Sequence, residues 1–412
     1  MDKIIYIKKN TNNNLLYYFS ALFFFGVFFL YQKHNVSNDS TISEWLINYS
    51  GGFTKRGIIG QVAINLSNIF NINLRDSILI FQISLIAIYF ISLYQFFKDQ
   101  KINKIIFLSI FTPIFVLYPI AEIEVLARKE IFIFCFYLAY LNIKKTNLKF
   151  LYKIILLPLT VLIWEPVIFF FPFWLVIDIV EKKIKKINFE LFKELSSFFP
   201  SVLIAIYIAL NPMTSENHQL MADFLKSNFG ESCYMACDLI KSKASIYAQF
   251  AGNFSKYSFV VFFRYFLIIL IGFGPLFFLT AYSKIRNNEL IFFKNFDNLL
   301  LPLLIILSPV LLLFAMGYDW GRWVNISYVF AFLFYFFLYK KNIIKLDSLL
   351  FKNKIICLLD NKKLFIIFFI IFCFGWNPKT VITGDVGSKP GYQIPRKTLK
   401  IIYYKYIKEK IR

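Results

Sequence analysis

An all-α polytopic membrane protein of about eleven passes is the fold class that this sequence predicts, on three observations. First, 58% of the 412 residues are hydrophobic, 20% are aromatic, only 17% are charged and the mean hydropathy is +0.61. A soluble domain of this size could not keep such a profile in water. Second, apolar runs recur from position 15 to position 376 with no polar block long enough to fold alone. Residues 1–376 therefore read as one transmembrane domain and 377–412 as a basic tail. Third, the 46 Lys and Arg residues sort by loop: with a cytoplasmic N-terminus, 25 fall in inner loops, 12 in outer loops or embedded positions and 9 in the tail.

The spans follow in order. The run at 15–31 comes after Lys3, Lys8 and Lys9 and lacks a small-residue cleavage site, so it reads as a retained first span. Further runs lie near 77–97, 105–120, 125–143, 196–210, 257–280, 299–316, 324–339 and 364–376. The segment 154–180 has lysines on both flanks, Lys144, Lys145, Lys149 and Lys153 before it and Lys182, Lys183, Lys185 and Lys186 after it. Both flanks belong to the cytoplasm, and Pro166 breaks the helix at Trp164-Glu165-Pro166, which predicts a short helical hairpin with Glu165 at its tip. An odd number of passes places the tail outside.

Two outer loops are large. Loop 32–75 carries His34, Asp39, Glu44 and the string Asn48-Tyr49-Ser50-Gly51-Gly52-Phe53-Thr54-Lys55-Arg56-Gly57, followed by an amphipathic stretch at 58–70 suited to a membrane surface. Loop 211–256 is polar and holds Cys233 and Cys237, which read as two small packed residues or, in an oxidising compartment, a disulfide. No chemistry is assigned to them.

Composition excludes several functions. The net charge of +22 accompanies abundant Phe, Ile, Lys, Asn and Tyr and scarce Arg, a codon-bias pattern that does not imply nucleic-acid binding. Two His and five Cys leave no material for a His or Cys metal cluster. No internal repeat of the kind that marks many transporters is present.

Arginine usage points to a site. Only eight of the basic residues are Arg, and the inner loops contain one, Arg286, whereas the outer or embedded set contains Arg56, Arg75, Arg128, Arg264 and Arg322. A bias toward Lys has been resisted on one side, where a planar fork of donors grips phosphate or carboxylate bidentately. Pairing with nearby carboxylates, as Arg128 with Glu124, is the plainer reading of any single one. Carboxylates gather on the same side: Asp39, Glu44, Glu122, Glu124, Glu130, Glu165 at the hairpin tip, and Asp319 in Gly317-Tyr318-Asp319-Trp320-Gly321-Arg322-Trp323. Gly51, Gly52 and Gly57 around Lys55 and Arg56 fit either a phosphate cradle or a tight turn before a surface helix. Trp320 and Trp323 fit interfacial anchors or platforms for sugar rings.

A first span, an acidic outer loop with a juxtamembrane amphipathic helix, many spans and the late Arg322-Trp323 element together resemble the GT-C superfamily of polyprenyl-phosphate-dependent glycosyltransferases. Ala127-Arg128-Lys129-Glu130 opening a span, then a basic loop and a hairpin with Glu165, Pro166 and Pro172, is similar to bacterial O-antigen and exopolysaccharide repeat-unit polymerases. The chain departs from these in having Glu165 where a His is expected at the tip, and in lacking an adjacent acidic pair in the first loop.

The resemblance implies an enzyme of the bacterial inner membrane with its active site facing the periplasm. It would transfer glycan from a polyprenyl-phosphate or diphosphate carrier to a sugar hydroxyl, in O-antigen or capsule assembly. Asp39, Glu44 or Glu165 would orient or deprotonate the acceptor. Lys55, Arg56, Arg128, Arg264 and Arg322 would bind the carrier phosphate, on which a divalent cation could assist, and Gly51, Gly52, Asp319, Trp320 and Trp323 would support the sugar. Membrane lipid, a chain-length regulator and a flippase are the implied partners. A single-sugar GT-C transferase is the near alternative. A flippase for the same lipid-linked sugars is the rival from another class; it would place its charges at mid-membrane rather than at one face.

Overall fold

The computed structural model of the chain describes residues 11–241, 246–286, 288–347 and 359–382. Within them the protein is a multi-pass membrane protein whose regular structure is almost all helical. Five helices are long and apolar enough to cross a bilayer, and a sixth span is available if the bent pair Phe259–Gly272 and Gly274–Ala281 crosses as one.

The helices are α1 (Thr11–His34), α2 (Ser40–Ser43), α3 (Gly57–Phe70), α4 (Leu74–Phe97), α5 (Lys104–Phe111), α6 (Tyr118–Ala121), α7 (Glu130–Asn142), α8 (Thr146–Ile163), α9 (Phe171–Glu181), α10 (Phe189–Ser196) and α11 (Phe199–Leu210). They continue as α12 (Ser215–Phe229), α13 (Ile246–Phe254), α14 (Phe259–Gly272), α15 (Gly274–Ala281), α16 (Leu300–Leu307), α17 (Leu311–Met316), α18 (Trp320–Lys340) and α19 (Lys362–Phe374). Their starts follow capping chemistry: the side chains of Asn103, Asn188, Thr214, Ser258 and Asn361 each accept from a backbone N–H in the first turn that follows. A two-stranded antiparallel pair, β1 (Ser283–Ile285) with β2 (Ile344–Leu346), interrupts the helical pattern.

The axis of the molecule is α18, in which every residue from Trp320 to Leu338 is buried. A helix apolar around its whole circumference belongs in the interior, and α7, α9, α14, α16 and α17 pack around it. By contrast α1 exposes Phe24, Phe25 and Phe28, the pattern of a lipid-facing stripe.

Contacts fix two ends. Asn12 at the start of α1 hydrogen-bonds Asp99 just past α4, and Lys340 at the end of α18 donates to Phe96 O; this is the lysine end. At the other end His34, closing α1, pairs with Asp76 in the first turn of α4 at 2.9 Å. This is the arginine end, where α18 begins.

The predicted hairpin is present, with one difference. Its flanks meet at the lysine end, where Lys153 of α8 pairs with Asp178 of α9, while its tip, a 3-10 turn at Glu165–Phe170, reaches the arginine end. But α8 spans 18 residues, ~27 Å at 1.5 Å per residue, so its first arm is a full-length crossing rather than a short helix. Lys149 and Lys153 are helical residues of that arm, not loop flank, and are buried. The amphipathic 58–70 stretch is α3, one residue longer at its start. Runs predicted at 105–120 and 299–316 are broken into short helices, the first after Phe111 and the second at Ser308-Pro309.

The start of the tail doubles back over the arginine end. Gly321 N donates to Thr380 O and Ile382 N to Tyr318 O, and Glu122 receives Asn377 at 3.0 Å and Lys379 at 2.7 Å. A Cβ on Gly321 would stand 1.9 Å from Lys379 O, so only glycine lets this segment lie on α18. The remainder of the basic tail, 383–412, lies outside the described residues.

Candidate functional site

Five separate stretches of chain deliver charge to the arginine end. Glu44 caps the C-terminus of α2, Lys55 and Arg56 precede α3, Arg128 and Lys129 precede Glu130 at the start of α7, Glu165 opens the hairpin tip, and Asp319 and Arg322 belong to the first turn of α18. Arg56 holds φ 63, a left-handed turn that directs its side chain away from α3 toward Glu165.

The geometry centres on one carboxylate oxygen. Glu44 Oε1 stands 3.0 Å from Arg322, 3.6 Å from Arg128 and 3.9 Å from Arg56. Arg56 holds Glu165 through a two-pronged pair at 2.8 and 2.9 Å, and Lys55 approaches the same carboxylate at 3.7 Å. Arg322 also pairs with Glu130, and with Asp319 at 3.1 Å. Lys129 donates to Arg56 O, tying the α7 entry to the α3 entry.

Electrostatics keep Glu44 and Glu165 ionised. Burial alone would raise the Glu44 carboxyl, but the charges of Arg322, Arg128, Arg56 and Lys129 outweigh it and hold the group well below the usual range. At Glu165 burial is likewise overcome, chiefly by Arg56 and then Lys55, and the carboxyl is pulled down to about 2. Neither is therefore suited to taking a proton near neutrality.

The network is not closed upon itself. Glu44 Oε2, Arg322 Nε and the indole nitrogens of Trp164 and Trp323 are buried without a hydrogen-bond partner. Three donors and one acceptor of this kind, gathered at one place, are the groups a polar ligand would satisfy. Below Arg128, Glu130 and Arg322 runs a narrow cavity of ≈ 40 Å³ whose walls are apolar, including Ile86, Phe90, Phe134 and Val329.

The other candidates fall elsewhere. Asp39 is the N-cap of α2: it accepts from Thr41 N and Oγ1 and pairs with Lys33 at 2.8 Å, apart from Arg56, Arg128 and Arg322. Arg75 ties Glu231 to the carbonyls of His34, Val36 and Ser37, a structural brace. Arg264, on α14, donates to Ile382 O at 3.4 Å. The Gly51-Gly52 turn is not an open cradle: a Cβ on Gly51 would lie 1.9 Å from Asn217 O, because α12 packs directly on it. Trp320 is a core residue, its indole donating to Phe314 O amid Tyr257, Phe262 and Tyr265. Trp323 is buried beside Arg322, 6.1 Å from Trp164, and offers no open ring face.

Residues 233 and 237, read as two packed residues or a disulfide, form a disulfide. The sequence puts Glu130 and Lys129 near the site without assigning them a role. Their signal was the Arg128-Lys129-Glu130 cluster at a span entry, where ionisable groups are costly unless paired. No protein-family model, curated protein or solved structure matches this chain.

Proposed function

We propose that the protein is a membrane-embedded glycosyltransferase of envelope-polysaccharide assembly, a repeat-unit polymerase that moves glycan from a polyprenyl-phosphate or diphosphate carrier to a sugar hydroxyl. The observation that carries this reading is the convergence of Arg56, Arg128 and Arg322, from three different stretches of chain, on the single oxygen of Glu44 above an apolar cavity. Three forks converging on one oxygen make a ready anion site, and Glu44 occupies it as an internal counter-ion that a carrier phosphate would displace.

In the proposed reaction the acceptor hydroxyl oxygen bonds to the anomeric carbon of the donor as the bond from that carbon to the carrier phosphate oxygen breaks. The leaving phosphate takes the electron pair, and the arginines hold the charge that develops on it. The hydroxyl proton passes to a carboxylate or to the leaving phosphate. Asp319, whose side chain is 29% exposed beside Arg322, is better placed to meet an acceptor arriving from water than Glu44 or Glu165. The reading keeps eleven passes, a GT-C-like arrangement, an arginine end on the periplasmic side of a bacterial inner membrane, and shorter helices such as α7 and α16–α17 completing the crossings.

Surface glycan from a deletion strain of the source organism, complemented with wild type, Arg322→Lys or Asp319→Asn and resolved on gels with protein levels checked by blot, tests this. A core bearing one repeat unit in the deletion, unrescued by Arg322→Lys, is the expected result. Loss of one sugar from the unit would replace the polymerase with a single-sugar transferase, and an unchanged glycan would overturn both.

A further inference from the structure

The loop after α12 carries chemistry that the arginine end does not use. Cys233 and Cys237 are joined, and the two sulfurs differ in surroundings: Cys237 is fully buried while Cys233 is partly exposed. His218, on α12 and itself 6% exposed, puts Nε2 3.3 Å from the Cys233 sulfur and 3.2 Å from the Cys237 carbonyl oxygen. The charged neighbour of His218 on the facing loop is Asp238, 4.0 Å away and paired with Lys241 at 2.6 Å. The free cysteines Cys135 and Cys373 lie within apolar helices α7 and α19, with no comparable setting. An accessible sulfur beside an imidazole, with a buried second sulfur in reach, is the arrangement of a nucleophilic and a resolving cysteine.

We infer that Cys233–Cys237 is a thiol–disulfide exchange site, with Cys233 the attacking sulfur, His218 the group that stabilises its thiolate, and an external protein dithiol as the exchange partner. In the oxidising direction the Cys233 thiolate attacks a partner disulfide and expels one partner thiolate. Cys237, giving its proton to water, then attacks the Cys233 sulfur of the mixed disulfide, expels the second partner thiolate and closes the intramolecular bond. Two electrons pass to the partner, and the reverse sequence reduces the pair.

The exchange reaches the first loop. Tyr234, inside the closed ring of residues, accepts the backbone N–H of Asp39 at 3.1 Å, and Glu231 just before it holds Arg75. Asp39 caps the short helix that ends at Glu44, so opening the ring loosens a brace one helix away from the arginine cluster.

The full-length protein in detergent, pulsed with dithiothreitol, alkylated with iodoacetamide at pH 6.5 and read by peptide-resolved mass spectrometry, tests the inference. Cys233 is expected to be modified about tenfold faster than Cys237, and His218→Gln to erase that advantage. In the wild type the Cys233 rate should rise with pH through an inflection well below the free-thiol value of about 8.5. Amide exchange at 39–43 should increase on reduction. A bond that opens only after denaturation, or equal rates for the two cysteines, would overturn the inference in favour of a purely structural staple.

Discussion

Two buried ion clusters sit at opposite ends of α7 and α18, and they are built differently. At the lysine end, Lys153 lies between Asp178, at 2.6 Å, and Glu194, with Tyr140 donating to Asp178 and Lys182 completing Glu194 at 2.5 Å. Lys149 meets Glu181 at 2.6 Å and lies over the Tyr140 ring. Each ammonium there is a point charge enclosed by carboxylates, and the result locks α7, α8, α9 and α10 together. At the arginine end three planar forks converge on one oxygen, and Glu44 Oε2 and Arg322 Nε have no partner. The first cluster looks inward to the fold, and of its members only Lys149 Nζ, ion-paired with Glu181, lacks a hydrogen bond; the second gathers three such donors and an acceptor in one place. Burial alone therefore does not mark a functional site; several unmet donors and acceptors gathered around one ion cluster are the sharper sign.

The comparison predicts opposite phenotypes. The largest effect belongs to the lysine end: Lys153→Met leaves Asp178 and Glu194 buried without their cation and should cost about 3–5 kcal/mol of stability, read as a lowered thermal midpoint in detergent and lower membrane abundance. At the arginine end, Arg322→Lys should accumulate normally, yet lose transfer activity about a hundredfold, some 2.7 kcal/mol in the barrier, because an ammonium cannot reproduce the fork. If the two variants proved equally unstable, the distinction between the ends would fail.

Acid sharpens the comparison. The Glu165 carboxyl is held at about 2 and that of Glu44 also lies below its ordinary value, so both contribute stability above the unfolded value of about 4.3 that is lost as pH falls toward the folded values. The thermal midpoint should drop between about pH 5 and pH 2, and Glu165→Gln should flatten that drop. An unchanged acid limb in the variant would remove Glu165 from the linkage. The smallest effect is expected at Asp39: Asp39→Ala removes an N-cap worth about 1 kcal/mol and should leave transfer within a few-fold of wild type. A hundredfold loss there would return Asp39 to the chemistry.

Much of this was legible in the sequence. Pro166 between two lysine-rich flanks gave the hairpin and its Glu165 tip, because a helix break and a charge rule act locally. The concentration of arginine on one side picked out Arg56, Arg128 and Arg322, and no local signal separated them from Arg75 and Arg264, whose partners Glu231 and Ile382 lie more than a hundred residues away in sequence. The lysine-end cluster was hidden for the same reason. Lys149 and Lys153 look like loop charges until α9 and α10 bring Asp178, Glu181 and Glu194 against them. Gly51 likewise fitted a cradle as well as a tight turn because α12, which closes over it, follows some 165 residues later.

The most direct test of the central claim is equilibrium binding of a short-chain prenyl diphosphate to the purified protein in detergent, comparing wild type with Arg322→Lys and with Lys153→Arg. The account predicts binding that Arg322→Lys weakens at least about tenfold and that a folded Lys153→Arg protein retains. Equal binding by wild type and Arg322→Lys, or none by wild type, would contradict it.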